Sequence, residues 1–201
     1  MKLYFMPGAC SLAPHIALRE ADLPFSLVEV NYQTRLTEGD RNYLEINPKG
    51  YVPALELADG ELLTELPVIL QYVDALAPEA ALLPQPGMGR YRALEWLNFI
   101  GTEIHKSFSP LFRPTTPEAF LKPGREHLSR RLDMAEGHLR QHRYLSGSEF
   151  SLADVYLFTV CRWLGDQDLA LATWPALQRH FDDILRRPAV RDALAHEGLT
   201  A

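Results

Sequence analysis

The sequence predicts an α/β domain followed by an all-helical one, and three observations predict it. Before about residue 78, short β-type runs alternate with helical patterns; after it, apolar residues recur at helical spacing only. Between the two, Pro78, Pro84, Pro86 and Gly87 interrupt the chain. The expected division is a first domain at 1–78, a linker at 79–87 and a helical domain at 88–201. Charge divides in the same way, with 5 Lys/Arg against 12 Asp/Glu in residues 1–80 and 15 against 14 in residues 81–201.

In the first domain, Lys2–Met6 reads as a strand, Pro7-Gly8-Ala9 as a turn and Ser11–Glu20 as a helix. Leu27–Val30 is a second strand, and a short helix is expected near Asp40–Leu44. Ala54–Leu57 and Glu61–Thr64 are strands joined by Asp59-Gly60, a strong hairpin signal. Pro67–Leu76 is a helix with proline at its start, where a missing N–H does no harm. In the second domain, long helices are expected from Arg90 to about Phe112 and from Leu121 to about Tyr144. A third opens at Ser151, with Asp154 as its reciprocal partner in a capping box and Phe150 and Val155 as a hydrophobic staple. Shorter helices follow around Pro175–Arg186 and Ala189–His196. No internal repeat or low-complexity tract is present.

A chain of 201 residues is long enough for one large or two small hydrophobic cores. Two distant cysteines, Cys10 and Cys161, do not form a disulfide framework, so a reducing compartment is expected. No apolar run is long enough for a bilayer, and Met1-Lys2-Leu3-Tyr4 does not begin a signal peptide. A soluble, cytoplasmic protein is the expectation. Neither half is a basic surface, so neither nucleic acid nor a membrane is an expected partner.

Cys10 carries the sharpest chemical signal, because it falls where a strand turns into a helix. The unpaired N–H groups and positive dipole end of the helix favour thiolate over thiol, so Cys10 is expected to titrate below the free value of about 8.5. The alternative is a buried structural cysteine. Val52-Pro53 enters a strand, so Pro53 must sit at a strand start or edge; from the residues alone a trans bond is the expectation, whereas a cis bond there would leave the Val52 backbone free for an extended peptide-like ligand. Glu65 precedes a helix, either as a simple dipole partner or as a carboxylate that holds an amino group while helix N–H groups hold a carboxylate. Asn98, Gly101, Thr102, His105, Phe108 and Ser109 recur at three- and four-residue spacing, a mixed polar and small face suited to a cleft. The opposite side carries Leu94, Leu97, Ile100 and Ile104. His127, His138, His142, His180 and His196 are expected on the surface. His138 and His142 have metal-ligand spacing but no third ligand, so no metal site is assigned.

With these residues in view, the chain resembles the soluble glutathione transferases, most closely their bacterial beta class. The resemblance is carried by Tyr4–His15, by Asn47-Pro48-Lys49-Gly50 with Val52-Pro53, and by Thr64-Glu65. It continues through Glu95-Trp96-Leu97-Asn98-Phe99, His105-Lys106 and the Ser151–Asp154 cap. It implies a thioredoxin-like N-terminal domain that binds glutathione, an all-α helical bundle and a homodimer. Glutathione is implied as co-substrate, with no metal or organic cofactor and with a small hydrophobic electrophile in the second subsite. Cys10 is implied to lie against the glutathione sulfur, and Val52, through a cis bond to Pro53, to pair with its cysteinyl part. Glu65 is implied to hold the γ-glutamyl end, and Arg35 and Lys49 to belong to the same site. His105 and Lys106 approach the thiol, and Asn98 and Glu103 reach the partner's site. Ala9, Phe108 and Phe112 are the candidates for the hydrophobic site.

One departure concerns Leu66, where the family has Ser or Gly. Leucine leaves only its backbone N–H for the γ-glutamyl carboxylate, and a lost charge-assisted bond costs about 1.5–3 kcal/mol. Two mechanisms stay open: conjugation by the glutathione thiolate, or monothiol glutaredoxin-like exchange in which Cys10 attacks a mixed disulfide. Cys10-Ser11-Leu12-Ala13 has no second cysteine, which excludes a dithiol cycle. With glutathione bound, two adjacent thiolates would repel, so one shared proton or a mixed disulfide is expected. A third reading is a non-catalytic ligand- or protein-binding member of the fold.

Overall fold

Leu3-Tyr4-Phe5 forms the middle of a four-stranded sheet in a computed structural model that describes residues 1–200. Strand β1 (Lys2–Phe5) pairs in parallel with β2 (Ser26–Glu29) and antiparallel with β3 (Ala54–Glu56). Strand β4 (Leu62–Thr64) closes the order β2-β1-β3-β4. Helix α1 (Leu12–Glu20) makes the crossover that a parallel pair needs. The hairpin turns at Asp59-Gly60: Gly60 has φ of +90°, Gly60 N–H donates to Leu57 O, and Asp59 Oδ1 accepts from Glu61 N–H. Helix α2 (Tyr43–Ile46) lies slightly later than expected because Asn42 caps it through Leu44 N–H. Helix α3 (Leu66–Leu76) packs against α1 and β4. Leu3, Leu12, Ile16, Leu55, Ile69 and Val73 are fully buried in the core beneath these elements.

The chain divides into two units, residues 1–82 with 187–201 and residues 83–186. In the second unit, α4 (Met88–Phe99) runs into a π-helical turn at Ile100–His105 and continues as α5 (Lys106–Phe112). Helices α6 (Glu118–Leu139), α7 (Leu152–Cys161) and α8 (Pro175–Leu185) complete it. Every residue of α7 is buried, the signature of a central helix with apolar contacts all round. Its capping box forms as expected. Asp154 Oδ2 accepts from the Ser151 N–H at 2.8 Å and the Ser151 hydroxyl at 2.9 Å, while Oδ1 accepts from Leu145 N–H at 2.8 Å. His180 Nε2 lies 2.9 Å from the same Oδ1.

Three expectations are corrected. The last helix, α9 (Pro188–His196), packs against α1 through buried Val190, Ala193 and Leu194, so residues 187–201 belong with the first unit. His180 is 1% exposed, since Asp154 supplies the partner that lets an imidazole be buried. The π turn, with its i→i+5 bonding, changes the helical register, and the supposed single face splits. Asn98 and Thr102 are exposed, His105 is half-buried and Phe108 is buried.

Candidate active site

In the first unit the turn after β1 is fastened from inside by one side chain. Ser11 Oγ accepts from Met6 N–H at 3.1 Å and donates to Met6 O at 3.3 Å, so it serves the turn and not the helix cap. Ala9, half-buried, packs against the cluster of Tyr4, Val30, Tyr43, Val52 and Ala54. Cys10 follows, and its Sγ donates to Val52 O at 3.2 Å. The Val52–Pro53 bond is cis, as the family resemblance implied. The ladder between β1 and β3 ends at the pair Tyr4–Ala54, so Val52 lies beyond it. Its carbonyl takes the Cys10 thiol, and its N–H finds no acceptor among the described residues. Val52 as a residue is buried, and few backbone donors of buried residues go without a partner.

The thiol itself departs from expectation. Burial pushes the Cys10 pKa up to about 12, while the backbone N–H groups of Cys10 and Ser11 pull it down by less. Desolvation of the sulfur outweighs the helix end, so Cys10 is a protonated donor at neutral pH.

The remaining sequence candidates of this unit are engaged with one another. Lys49 Nζ donates to Glu65 Oε1 at 2.7 Å and to Thr64 Oγ1 at 3.0 Å, and both charged side chains are more than half exposed. Glu65 takes a φ of +71°, a strained conformation for a non-glycine residue. Its carbonyl accepts from Val68 N–H and Ile69 N–H, and Pro67 has no N–H. That leaves Leu66 N–H as the first open amide of α3. Arg35 Nη1 donates to Gly50 O at 3.0 Å, and its guanidinium lies over the Tyr32 ring. Tyr51 O accepts from both the Tyr43 hydroxyl and Asn47 Nδ2 at 2.8 Å, which anchors the backbone leading into Val52-Pro53.

In the second unit, His105 closes the π turn. Its Nδ1 lies 2.6 Å from the Tyr156 hydroxyl, and its ring meets Trp163 edge-on at 5.0 Å. Burial, with a smaller contribution from Lys106, lowers its pKa to about 4, so the imidazole is neutral at physiological pH. Phe108 stacks on Phe112 at 5.9 Å, with Trp163 against both. Lys106 is exposed. Glu103 Oε2 faces Arg131 Nε of α6 at 3.7 Å, and Asn98 Nδ2 donates back to Leu94 O.

Models of known families match this arrangement: the glutathione S-transferase N-terminal domain over residues 8–76 and the C-terminal domain over residues 99–188. The chain is also 44% identical over 200 residues to the glutathione S-transferase GstA of Escherichia coli O157:H7, covering 99% of this chain and 100% of the relative. This chain belongs to the glutathione S-transferase family. A sphingomonad glutathione S-transferase complexed with glutathione superposes with a TM-score of 0.96 at 43% identity, over 100% of each chain. A beta class enzyme of Sphingomonas chungbukensis does so with a TM-score of 0.96 at 42% identity, again over 100% of each chain. The sequence-based assignment to this enzyme family, and its likeness to the bacterial beta class, therefore stand.

Sequence reasoning about this glutathione S-transferase missed the residues that act through others. Tyr43 and Asn47 fix Tyr51 O, and Tyr156 and Trp163 hold His105. Only Asn47 lay inside a quoted motif. Leu66 also reads differently, because its side chain is 5% exposed within the core. Leu66→Ser would supply the family's hydroxyl but would also open a cavity, so it is expected to lower stability by about 2–4 kcal/mol in urea unfolding. Among the described residues, no helix is long and apolar enough to cross a membrane, and no group of three His, Cys, Asp or Glu side chains is placed to hold a metal ion.

Proposed function

We propose that this glutathione S-transferase conjugates the glutathione thiolate to small hydrophobic electrophiles, with Cys10 beside the glutathione sulfur as a thiol donor. The observation that carries this reading is the half-buried Cys10 thiol donating to Val52 O at 3.2 Å; burial of the sulfur raises its pKa and favours the thiol form. An extended tripeptide laid along Val52 would offer a backbone N–H to Val52 O and a carbonyl to the open Val52 N–H. Its N–H would displace the Cys10 S–H, which then turns to the incoming sulfur and stabilises that sulfur as the anion. The nucleophile is thus glutathione, and its sulfur forms the new bond as the electrophile's leaving group departs.

The charged groups suit a zwitterionic ligand. The Lys49–Glu65 pair is solvent-exposed and therefore weakly held, about 0–1 kcal/mol, so a γ-glutamyl ammonium can take Glu65. The γ-glutamyl carboxylate then meets Leu66 N–H at the start of α3, and Lys49 and Arg35 are left for the glycyl carboxylate. The solved sphingomonad relative, described as complexed with glutathione, supports the ligand class. For His105 and Lys106 the support is the family likeness: a neutral imidazole is a hydrogen-bond partner for the glutathione thiol, and Lys106 adds positive charge. Ala9 and Phe112 are assigned to the electrophile's side of the reaction, while Phe108, buried, backs Phe112 and does not face the electrophile. A homodimer in which Asn98 and Glu103 serve the partner rests on the same likeness, and light scattering should then read the mass of two chains.

The monothiol exchange reading is disfavoured, because it requires Cys10 to be the attacking thiolate. The parent protein should be retained on immobilised glutathione and should turn over a chromogenic aryl halide. Retention without turnover would favour a binding role, and rapid reduction of a glutathione mixed disulfide with no aryl halide turnover would favour exchange.

A further inference from the structure

The turn that carries Cys10 is tied to the far end of the chain by a buried carboxylate that the reaction does not use. Glu197 caps α9, and its side chain is fully enclosed. Oε2 accepts from the Gly8 N–H at 3.0 Å, and Oε1 lies 2.8 Å from His15 Nδ1. The other His15 nitrogen settles the direction of that bond. Arg19 Nε lies 2.9 Å from His15 Nε2, and a guanidinium only donates, so Nε2 is the acceptor and Nδ1 carries the proton to Glu197. Arg19, His15 and Glu197 therefore form one polarised chain, donor to acceptor, from a half-exposed guanidinium to an enclosed carboxylate.

Two residues either side of Cys10 are held by this one group. Gly8 lies two positions before it, and His15, fully buried in α1, lies one helical turn beyond Ser11. Gly8 has φ of +73°, and a Cβ there would come within 3.5 Å of Leu199, so the chain end also packs onto the turn. Burying a carboxylate is costly unless every oxygen is partnered, and here one of the two oxygens is committed to a backbone amide of the Cys10 turn.

We propose that Glu197 is a positioning residue for Cys10: by bridging Gly8 N–H and His15 it fixes the turn so that the thiol stays seated on Val52 O. The C-terminal segment is thereby part of the thiol site, although it follows all of the helical unit in sequence. The kinetic consequence rests on the proposed role of Cys10 with glutathione; the reactivity of the thiol does not.

Glu197→Gln tests it, because an amide cannot accept from both donors: one of its two ends presents N–H to Gly8 or to His15. Losing a charge-assisted bond should raise the population of the open turn, so Cys10 alkylation by iodoacetamide should quicken about tenfold or more. KM for glutathione should rise while kcat changes little. A folded variant that only melts earlier, with parental alkylation rate and KM, would make Glu197 an ordinary structural group and overturn the proposal. If the variant does not fold, amide exchange in the parent protein decides. Gly8 N–H should then be protected to nearly the level of the core sheet, and exchange at the rate of an open turn would overturn it.

Discussion

Cys10 in the ligand-free protein is expected to react with iodoacetamide at about pH 7.5 roughly a thousandfold more slowly than a free cysteine. The attacking species is the thiolate, and burial pushes the Cys10 pKa up to about 12. The rate should climb about tenfold per pH unit and level off only near that value. Stability should respond with a definite sign. Between the unfolded pKa of about 8.5 and the folded value, the native state holds a proton that the unfolded chain has lost, so stability falls as pH rises through that window. His105 acts on the acid side in the opposite sense. Its pKa is lowered to about 4, so its contribution is complete above the unfolded value of about 6.5 and is lost as pH falls towards 4. Fast alkylation of the parent at neutral pH would restore the thiolate expected from the helix end alone.

Asp154→Ala should cost about 3–5 kcal/mol, since it removes a buried acceptor and leaves its donors behind. Four groups converge on that carboxylate: the Ser151 and Leu145 amides, the Ser151 hydroxyl and His180. The fully buried helix α7 starts there and, two residues later, carries the Tyr156 hydroxyl that meets His105. Asp154→Asn, which keeps one acceptor oxygen, should lose roughly half as much. Equilibrium unfolding in urea gives both values, and a loss in Asp154→Ala under about 1 kcal/mol would mean that the cap is solvated and dispensable.

The parts of the fold that were legible in the sequence are those written locally. The Leu-Tyr-Phe strand, the Asp59-Gly60 turn, Pro67 at the start of α3 and the Ser151–Asp154 box each need only neighbouring residues to act. What was missed depends on groups far apart in sequence. Nothing near His180 announces that Asp154 will receive it, and nothing near Glu197 announces His15, which is 182 positions away. The allegiance of α9 to the first unit has the same origin, because its apolar face matches α1 and that match is visible only in three dimensions. The π turn at Ile100–His105 has no composition signal, and it moved Phe108 from an expected cleft face into an aromatic core. Cys10 shows the same lesson in electrostatics. The helix end was read correctly as a pull towards thiolate, but the strength of desolvation depends on what covers the sulfur, which no local spacing reports.

The central claim is that the reacting anion belongs to glutathione and that Cys10 assists it as a thiol. The most direct measurement is aryl halide turnover by Cys10→Ala at saturating glutathione, with glutathione affinity measured by calorimetry on the same protein. Removing a single neutral donor should leave kcat within about tenfold of the parent, while any reduction of a glutathione mixed disulfide disappears. A folded Cys10→Ala protein that binds glutathione normally yet loses conjugation by about a thousandfold would make Cys10 the nucleophile and contradict the account.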